Sequence, residues 1–491
     1  MHLKKNANQT LINFLNSHKP NSWLLKQAKK KPQAPALKTA KQQYSFIQLA
    51  LLVQKYAGYL DKTLPKKREL VALVGNNSLE YVLTFLALFE LGIPVQFLNT
   101  RLTDAEMAFQ LQDTNCQLVF STKKHSLANY RCLSLVEIEA LALTTLYDQG
   151  YQDHQVASIM YTSGTTGNPK GVAQKFEHHL ASAKATQISL TLQPTDCWLI
   201  VLPLYHIGGL AIILRMLACG CSVYLQPKFE AKEVMTLIEQ QQITLASVVT
   251  KMLQDLATVL PAKGYPPTFR GYLLGGGAVE KTLLQMYQAL GVFVMASYGM
   301  TETCSQICAL AAKDALTKLG SAGKPLANVQ LKIVNAPDQK IGEIWLKGPS
   351  VITHYLRQPA NEWLQTGDLG YLDADGFLYL VSRKSELIIS GGENIYPAQI
   401  EQLLAEMPQI KQVAIVGQDD PTWGQVPIAY LTLKEPLTKA EILAYLAPRL
   451  ARYKIPQRFI VIKEMPLTAS QKIKKHVLLT NKIEGLIEDE L

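Results

Sequence analysis

Leu70-Val71-Ala72-Leu73-Val74 is a short apolar run, and Gly75-Asn76-Asn77-Ser78 turns the chain directly after it. Leu79, Val82, Leu83, Leu86 and Phe89 then recur at helical spacing until Gly92 and Pro94 stop the pattern, and a second apolar run occupies 95–98. Strand, helix and strand in so short a space make a βαβ unit, which joins parallel strands. The alternation returns further along. Strands are expected at 156–160, 197–202, 222–225, 244–249, 271–274 and 292–296, and helices at 208–217, 232–240, 252–259 and 279–290. In open parallel sheets, ligands sit beyond the carboxyl ends of the strands. The loops at those ends are therefore where chemistry is expected.

A chain of 491 residues is too long for one simple core, so two or more domains are expected. After residue 320 the pattern changes. Short strands at 329–334 and 343–347, and a hairpin-type turn at Asp373-Ala374-Asp375-Gly376, predict a small antiparallel or barrel-like piece. Ser382-Arg383-Lys384-Ser385-Glu386 is a polar break. The expected fold class is α/β: a large N-terminal domain, 1–382, with doubly wound sheets plus that barrel-like piece, then a hinge at 383–386. A small, mobile α+β domain, 387–491, follows, with helices at 397–406 and 439–450 and strands at 413–416, 429–433 and 458–462. Residues 1–45 are polar, with a helix expected at 23–30 and no evident chemistry.

One loop stands out. Tyr161-Thr162-Ser163-Gly164-Thr165-Thr166-Gly167-Asn168-Pro169-Lys170-Gly171 packs three glycines, four Ser/Thr residues and a lysine into eleven positions after a buried-type strand. Glycine lets backbone N–H groups come close to a phosphate chain, hydroxyls donate further hydrogen bonds, and lysine brings charge. The spacing is not G-x-x-x-x-G-K-[ST]. Clusters of this composition are more often plain surface loops. Other strand-end segments carry single functional candidates: Arg101; His206 in Pro203-Leu204-Tyr205-His206; the run Gly275-Gly276-Gly277; and Ser297-Tyr298-Gly299-Met300-Thr301-Glu302-Thr303. Taken one at a time, these read as a surface arginine, a capping histidine, a tight turn and a helix N-terminus with Glu302 in its first turn.

Composition limits the alternatives. The net charge of +10 suits nucleic acid, a membrane surface or anionic small ligands. No five consecutive residues are Lys or Arg, and zinc-finger, RNP and leucine-zipper patterns are absent from the sequence, so a nucleic-acid role is not expected. The apolar stretch at 81–98 holds Glu90, Gly92 and Pro94 and reads as helix, cap and strand, so no integral membrane segment is expected. The residues after Met1-His2-Leu3-Lys4-Lys5 lack the apolar core of a signal peptide. Cys116, Cys132, Cys197, Cys219, Cys221, Cys304 and Cys308 form no C-x-x-C pair, so neither a disulfide framework nor a zinc site is indicated. A reducing, cytoplasmic setting fits.

In their order and spacing, these loops resemble the adenylate-forming superfamily: acyl-CoA synthetases, luciferases and peptide-synthetase adenylation domains. The resemblance covers residues 30–480. It implies ATP, Mg²⁺ and coenzyme A as cofactor and co-substrates, and a small carboxylic acid as partner. It assigns nucleotide and CoA contacts to Thr162, Ser163, Gly164, Thr165, Thr166, Gly167, Lys170, Gly275, Gly276, Gly277, Tyr298, Gly299, Asp368, Arg383, Gly391 and Gly392. It assigns the metal to Glu302, the acid pocket to Arg101, His206 and Ser297, and catalytic roles to Lys472, His206 and Thr301. The hinge would fall at Lys384–Ser385. Lys472 alone would read as a solvated lysine beside Lys474 and Lys475. Two positions depart from the pattern: Gln471 and Ser382 stand where the superfamily usually has glycine.

Amino-acid-activating members usually carry an aspartate in the segment that here holds Tyr205-His206, so an amino acid is disfavoured. The strings at 99–103, 247–253, 297–307 and 388–397 look most like the 2-succinylbenzoate–CoA ligase family of menaquinone biosynthesis. CoA ligation of another aromatic or medium-chain acid, or a degenerate homologue that binds nucleotide without turnover, stays open on the sequence. A homo-oligomer is compatible with it.

Overall fold

The computed structural model describes residues 2–64, 70–121, 130–134, 143, 145–148, 152–162, 169–240, 242–261, 264–275, 281–334, 341–390, 393–467, 473–479 and 487–491. The chain divides into two compact units. The first comprises 1–331, 346–364 and 376–378; the second comprises 332–345, 365–375 and 379–491.

The first unit contains the expected βαβ unit as strand Val71–Val74, helix Leu79–Glu90 and strand Val95–Leu98. Ser78 caps the helix by accepting from the Tyr81 N–H at 3.2 Å, which satisfies one of the orphan donors of its first turn. Its sheet runs Arg131–Ser134, Leu118–Ser121, Val71–Val74, Val95–Leu98, Val156–Thr162, Lys170–Lys175. All neighbours are parallel except the last pair. Val71–Val74 and Leu118–Ser121 are buried along their whole length, as parallel strands covered on both faces are.

A second sheet carries the parallel order Phe293–Met300, Gly271–Gly275, Leu245–Val249, Cys197–Ile200, Ser222–Leu225, Pro35–Lys38. Antiparallel strands flank it: Ser305–Ala309 and Ser321–Pro325 at one side, Gln43–Ser45 at the other. One apolar cluster joins Phe97, Phe120 and Met160 of the first sheet with Trp198, Ile200 and Met295 of the second. Burying each such side chain contributes about 1.5–3 kcal/mol, and this shared core holds the two sheets together.

Several expectations shift at their edges. The strand expected at 292–296 runs on as Phe293–Met300 because Ser305–Ala309 pairs back onto it, with a register shift between Tyr298 and Gly299. Gly299 is required there. A Cβ on it would lie 2.1 Å from the Ser305 carbonyl oxygen. Helix His2–Ser17 was not anticipated; Leu11 and Leu15 bury it against the core.

In the second unit, strands Gln330–Val334, Gly342–Lys347, Leu364–Leu372 and Leu378–Arg383 follow one another in sheet order. A separate sheet runs Glu393–Ile395, Ile388–Ser390, Gly424–Leu433, Arg458–Ile462, Ile487–Glu490, with Ile410–Asp420 also paired to Gly424–Leu433. The strands expected at 413–416 and 429–433 are thus parts of a longer hairpin, Ile410–Asp420 with Gly424–Leu433. Helices Pro397–Ala405 and Lys439–Leu446 cover a core of Ile388, Ile400, Ile415, Leu431 and Phe459. Among the described residues, no helix is long and apolar enough to cross a membrane.

Candidate active site

Thr162 and Lys170 face each other in the antiparallel pair formed by Val156–Thr162 and Lys170–Lys175, as do Tyr161 and Gly171. The two strands therefore clamp both ends of the glycine-rich loop. Ser163, Gly164, Thr165, Thr166 and Gly167 lie outside the described residues. A Cβ on Gly171 would come 2.4 Å from a Leu356 methyl, which would have to shift, and 3.2 Å from the Tyr161 ring. The Tyr161 hydroxyl donates to Asp113 at 2.6 Å; burial, then that bond, raises its pKa and keeps it a donor. The Lys170 ammonium lies 5.2 Å from the Tyr355 ring centroid, a cation–π distance.

Glu302 sits in the short 3₁₀ turn Thr301–Thr303, which begins where Phe293–Met300 ends. Its residue is 7% exposed. Oε1 accepts from Tyr355 at 2.9 Å and, over a longer 3.4 Å, from Thr162. Thus two sequence candidates from different sheets, Thr162 and Glu302, are brought together directly, and Lys170 joins them through Tyr355. The turn is firmly held. Gln174 donates to the Thr301 carbonyl at 2.7 Å, and Ser158 donates to Gln174 at 2.6 Å. Ser182 donates to the Cys304 carbonyl at 2.6 Å. Fully buried Arg215 reaches Ser305 at 3.0 Å and lies over the Trp198 ring at 4.9 Å; burial brings its pKa down to about 10. Cys304 and Ser305 both have positive φ, 51° and 100°, so the turn needs such anchors.

The other strand ends carry the remaining candidates. Ser297 pairs in register with Gly275 and donates to the Leu274 carbonyl at 2.8 Å. Tyr298 is buried, and the space where Gly275 would carry a Cβ is open. Gly276 and Gly277 lie outside the described residues. His206 stands at the N-terminus of helix Ile207–Cys219, its ring 4.7 Å from that of Tyr205. Asn77 pins this loop: it donates to the carbonyls of Leu202 and Gln226 at 3.0 and 3.2 Å and accepts from the Leu204 N–H at 2.9 Å. Arg101 is exposed in the turn after Val95–Leu98, with its N–H bonded to Asn99 at 3.0 Å.

In the second unit, buried Asp368 meets Arg383 at 2.8 Å, so that candidate pair is also brought together. Asp368 lies within strand Leu364–Leu372, where Thr366 accepts from the Asp368 N–H at 3.0 Å while donating to the Ile344 carbonyl at 2.8 Å. Gly391, Gly392 and Lys472 lie outside the described residues. Leu467 and Ile473 form an antiparallel bridge, and the Lys474 N–H reaches the Pro466 carbonyl at 2.7 Å, so the chain is pinned on both sides of Lys472.

Tyr355, Gln174, Arg215 and Asn77 were not singled out from sequence. Each acts through a partner far along the chain, and no local pattern marks such a residue. The donor set around Glu302 is oxygen only, a carboxylate with a hydroxyl beside it. That oxygen donor set fits Mg²⁺, which takes one or two carboxylates together with substrate phosphates rather than an all-protein cage.

Open parallel strand ends, with a glycine-rich loop held at both ends by paired strands and a buried acidic turn beside it, suit an enzyme that binds a nucleotide's phosphates. The chain belongs to the family of AMP-binding enzymes, acyl-CoA synthetase type: the AMP-binding enzyme model matches residues 24–356, and the AMP-binding enzyme C-terminal domain model matches 399–472. It is similar to the 2-succinylbenzoate–CoA ligase of Enterococcus faecalis, 43% identical over 95% of this chain and 99% of the relative. It is also similar to the o-succinylbenzoate CoA synthetase of Bacillus subtilis solved with the acyl-adenylate intermediate OSB-AMP. There the TM-score is 0.88 and the identity 37%, covering 94% of this chain and 98% of that one. The Bacillus enzyme solved with ATP and magnesium ion gives a TM-score of 0.86 and 37% identity, covering 93% of this chain and 99% of that one.

Proposed function

We propose that this chain is an AMP-forming 2-succinylbenzoate–CoA ligase of menaquinone biosynthesis, acting in the cytoplasm. The observation that carries the proposal is full-length similarity, 43% identity over 99% of the relative, to a ligase of that acid. A carboxylate oxygen of the acid attacks the α-phosphorus of ATP, pyrophosphate leaves, and an acyl-adenylate forms. The CoA thiolate then attacks the acyl carbon and AMP leaves.

Both partners in the first step are anions, so the site must neutralise charge. The loop from Thr162 to Lys170 holds the β/γ-phosphates, and Thr301 reaches the α-phosphate. Glu302 would hold Mg²⁺, which would supply positive charge to offset that of the phosphate oxygens. Tyr298 and Gly275, Gly276, Gly277 and Gly299 flank the adenine, and Asp368 with Arg383 takes the ribose hydroxyls. Lys472 bridges the acid carboxylate and the α-phosphate. Arg101, His206 and Ser297 orient the acid. For the second step the small domain turns about Lys384–Ser385, withdrawing Lys472 and presenting Gly391 and Gly392 to CoA; such rearrangements gate many enzymes.

The test is a panel of acids, 2-succinylbenzoate among benzoate, other aromatic acids and medium-chain acids, assayed with ATP, Mg²⁺ and CoA for AMP and thioester formation. We expect kcat/KM for 2-succinylbenzoate to exceed the others by about 100-fold or more. Equal turnover of another acid would sink the assignment of substrate.

A further inference from the structure

Lys475 begins the short helix Lys475–Leu478, three residues beyond Lys472. Its ammonium lies between two carboxylates, Glu386 at 2.6 Å and Glu401 at 2.9 Å, and its side chain is only 20% exposed. Burial alone would lower its pKa; Glu401 and Glu386 more than reverse that and leave it raised. The two carboxylates come from different parts of the unit. Glu401 is on helix Pro397–Ala405 and also accepts from the Ile415 N–H at 2.7 Å, so it belongs to the rigid body of the small sheet. Glu386 closes the 3₁₀ turn Lys384–Glu386, immediately after the pivot proposed at Lys384–Ser385.

We infer that Lys475 is a positioning residue: a latch that fixes Glu386, just past the pivot, to the body that carries Lys472. Without it, the first residue firmly held after the pivot is Ile388, 1% exposed in the apolar core. Backbone rotations at Ser385, Glu386 and Leu387 would then absorb a turn at the pivot instead of passing it on. With it, the free length shrinks to Ser385. The same lysine starts the segment pinned through the Leu467–Ile473 bridge, so the pivot and the chain around Lys472 share one anchor. Lys475 and Glu401 are sheltered at 20% and 21% exposure while Glu386 is more open at 37%, so losing Glu386 leaves Lys475 held by Glu401. The pivot and the consequence for turnover rest on the function proposed above; the ion pairs of Lys475 with Glu386 and Glu401 do not.

The experiment is Glu386→Gln in the full-length chain, with Lys475→Arg as the conservative variant and Lys475→Met as a second disruption. One readout is the rate of trypsin cleavage after Lys384 without substrates. We expect Glu386→Gln and Lys475→Met to speed it about tenfold, and Lys475→Arg to stay near wild type. The other readout is steady-state ligation, where kcat should fall about fivefold or more with KM for ATP and acid unchanged. Unchanged cleavage in Glu386→Gln overturns the latch. So does cleavage that rises only in step with a lowered melting temperature, since that marks a general structural role. If wild type forms no thioester from 2-succinylbenzoate, the proposed function fails, while the cleavage rates still decide the latch.

Discussion

Glu302→Gln separates the charge of the buried acidic turn from its shape. The amide keeps the volume, and its carbonyl still accepts from Tyr355 and Thr162, which now sit 2.9 and 3.4 Å from Oε1. The Tyr355 bond drops from charge-assisted to neutral strength, a loss of about 1 kcal/mol. No longer burying an ionised group at a residue 7% exposed offsets part of that. Folding stability should therefore stay within about 1 kcal/mol of wild type, and the melting temperature within about 3 °C. Turnover should not survive so well. On the proposed role, in which Glu302 would hold Mg²⁺, removing its charge weakens the cation that would neutralise the phosphates, at an expected cost of about 10²–10³ in kcat, or about 2.7–4 kcal/mol. The assay is AMP and thioester formation across a Mg²⁺ titration, run beside thermal melting. We expect kcat to fall and half-saturating Mg²⁺ to rise. A variant with kcat within about twofold of wild type and the same Mg²⁺ dependence would show that Glu302 serves only the packing of its turn.

Lys472→Ala should abolish adenylation, read as acid-dependent pyrophosphate exchange, while ATP binding by calorimetry stays near wild type; normal exchange would remove the lysine from the mechanism. Gly299→Ala puts a methyl 2.1 Å from the Ser305 carbonyl oxygen, a backbone atom that cannot step aside, so it should cost about 3 kcal/mol or more and lower the denaturant midpoint sharply. His179 is fully buried against Ser158 at 2.8 Å, and burial brings its pKa down to about 3. Between about pH 6.5, where the unfolded histidine titrates, and about pH 3, the unfolded state binds the extra proton. Stability therefore falls as pH drops through that window and gains no slope from this group above it. His179→Gln should flatten the urea midpoint's dependence between pH 6.5 and 4 by about one proton, about 1.4 kcal/mol per pH unit; an unchanged slope would refute the assignment.

How far the sequence reaches can be judged from single elements. Helix Leu79–Glu90 and strand Arg458–Ile462 were legible because a periodic apolar pattern with turn residues at its ends is local information. The glycine-rich loop, Glu302, Asp368 and Arg383 were legible as candidates because each lies in a characteristic string, although Asp368 sits within strand Leu364–Leu372 rather than at its end. Their meeting was not. Thr162 reaches Glu302 across 140 residues of sequence, and Tyr355 reaches it across 53.

The strand Phe293–Met300 shows the same division. Its apolar run fixed where it begins, but only pairing with Ser305–Ala309 carried it through Tyr298 and Gly299. By itself, then, the sequence determined the kinds of element, their order and the chemical inventory of the loops, because hydrophobic periodicity and turn chemistry act within a few residues. The tertiary structure decided which loops share a surface, which carboxylate is buried beside which hydroxyl, and which long-range anchors, Gln174, Arg215, Asn77 and Lys475 among them, hold those loops in place. Those facts depend on side chains that become neighbours only when the strands are laid into sheets.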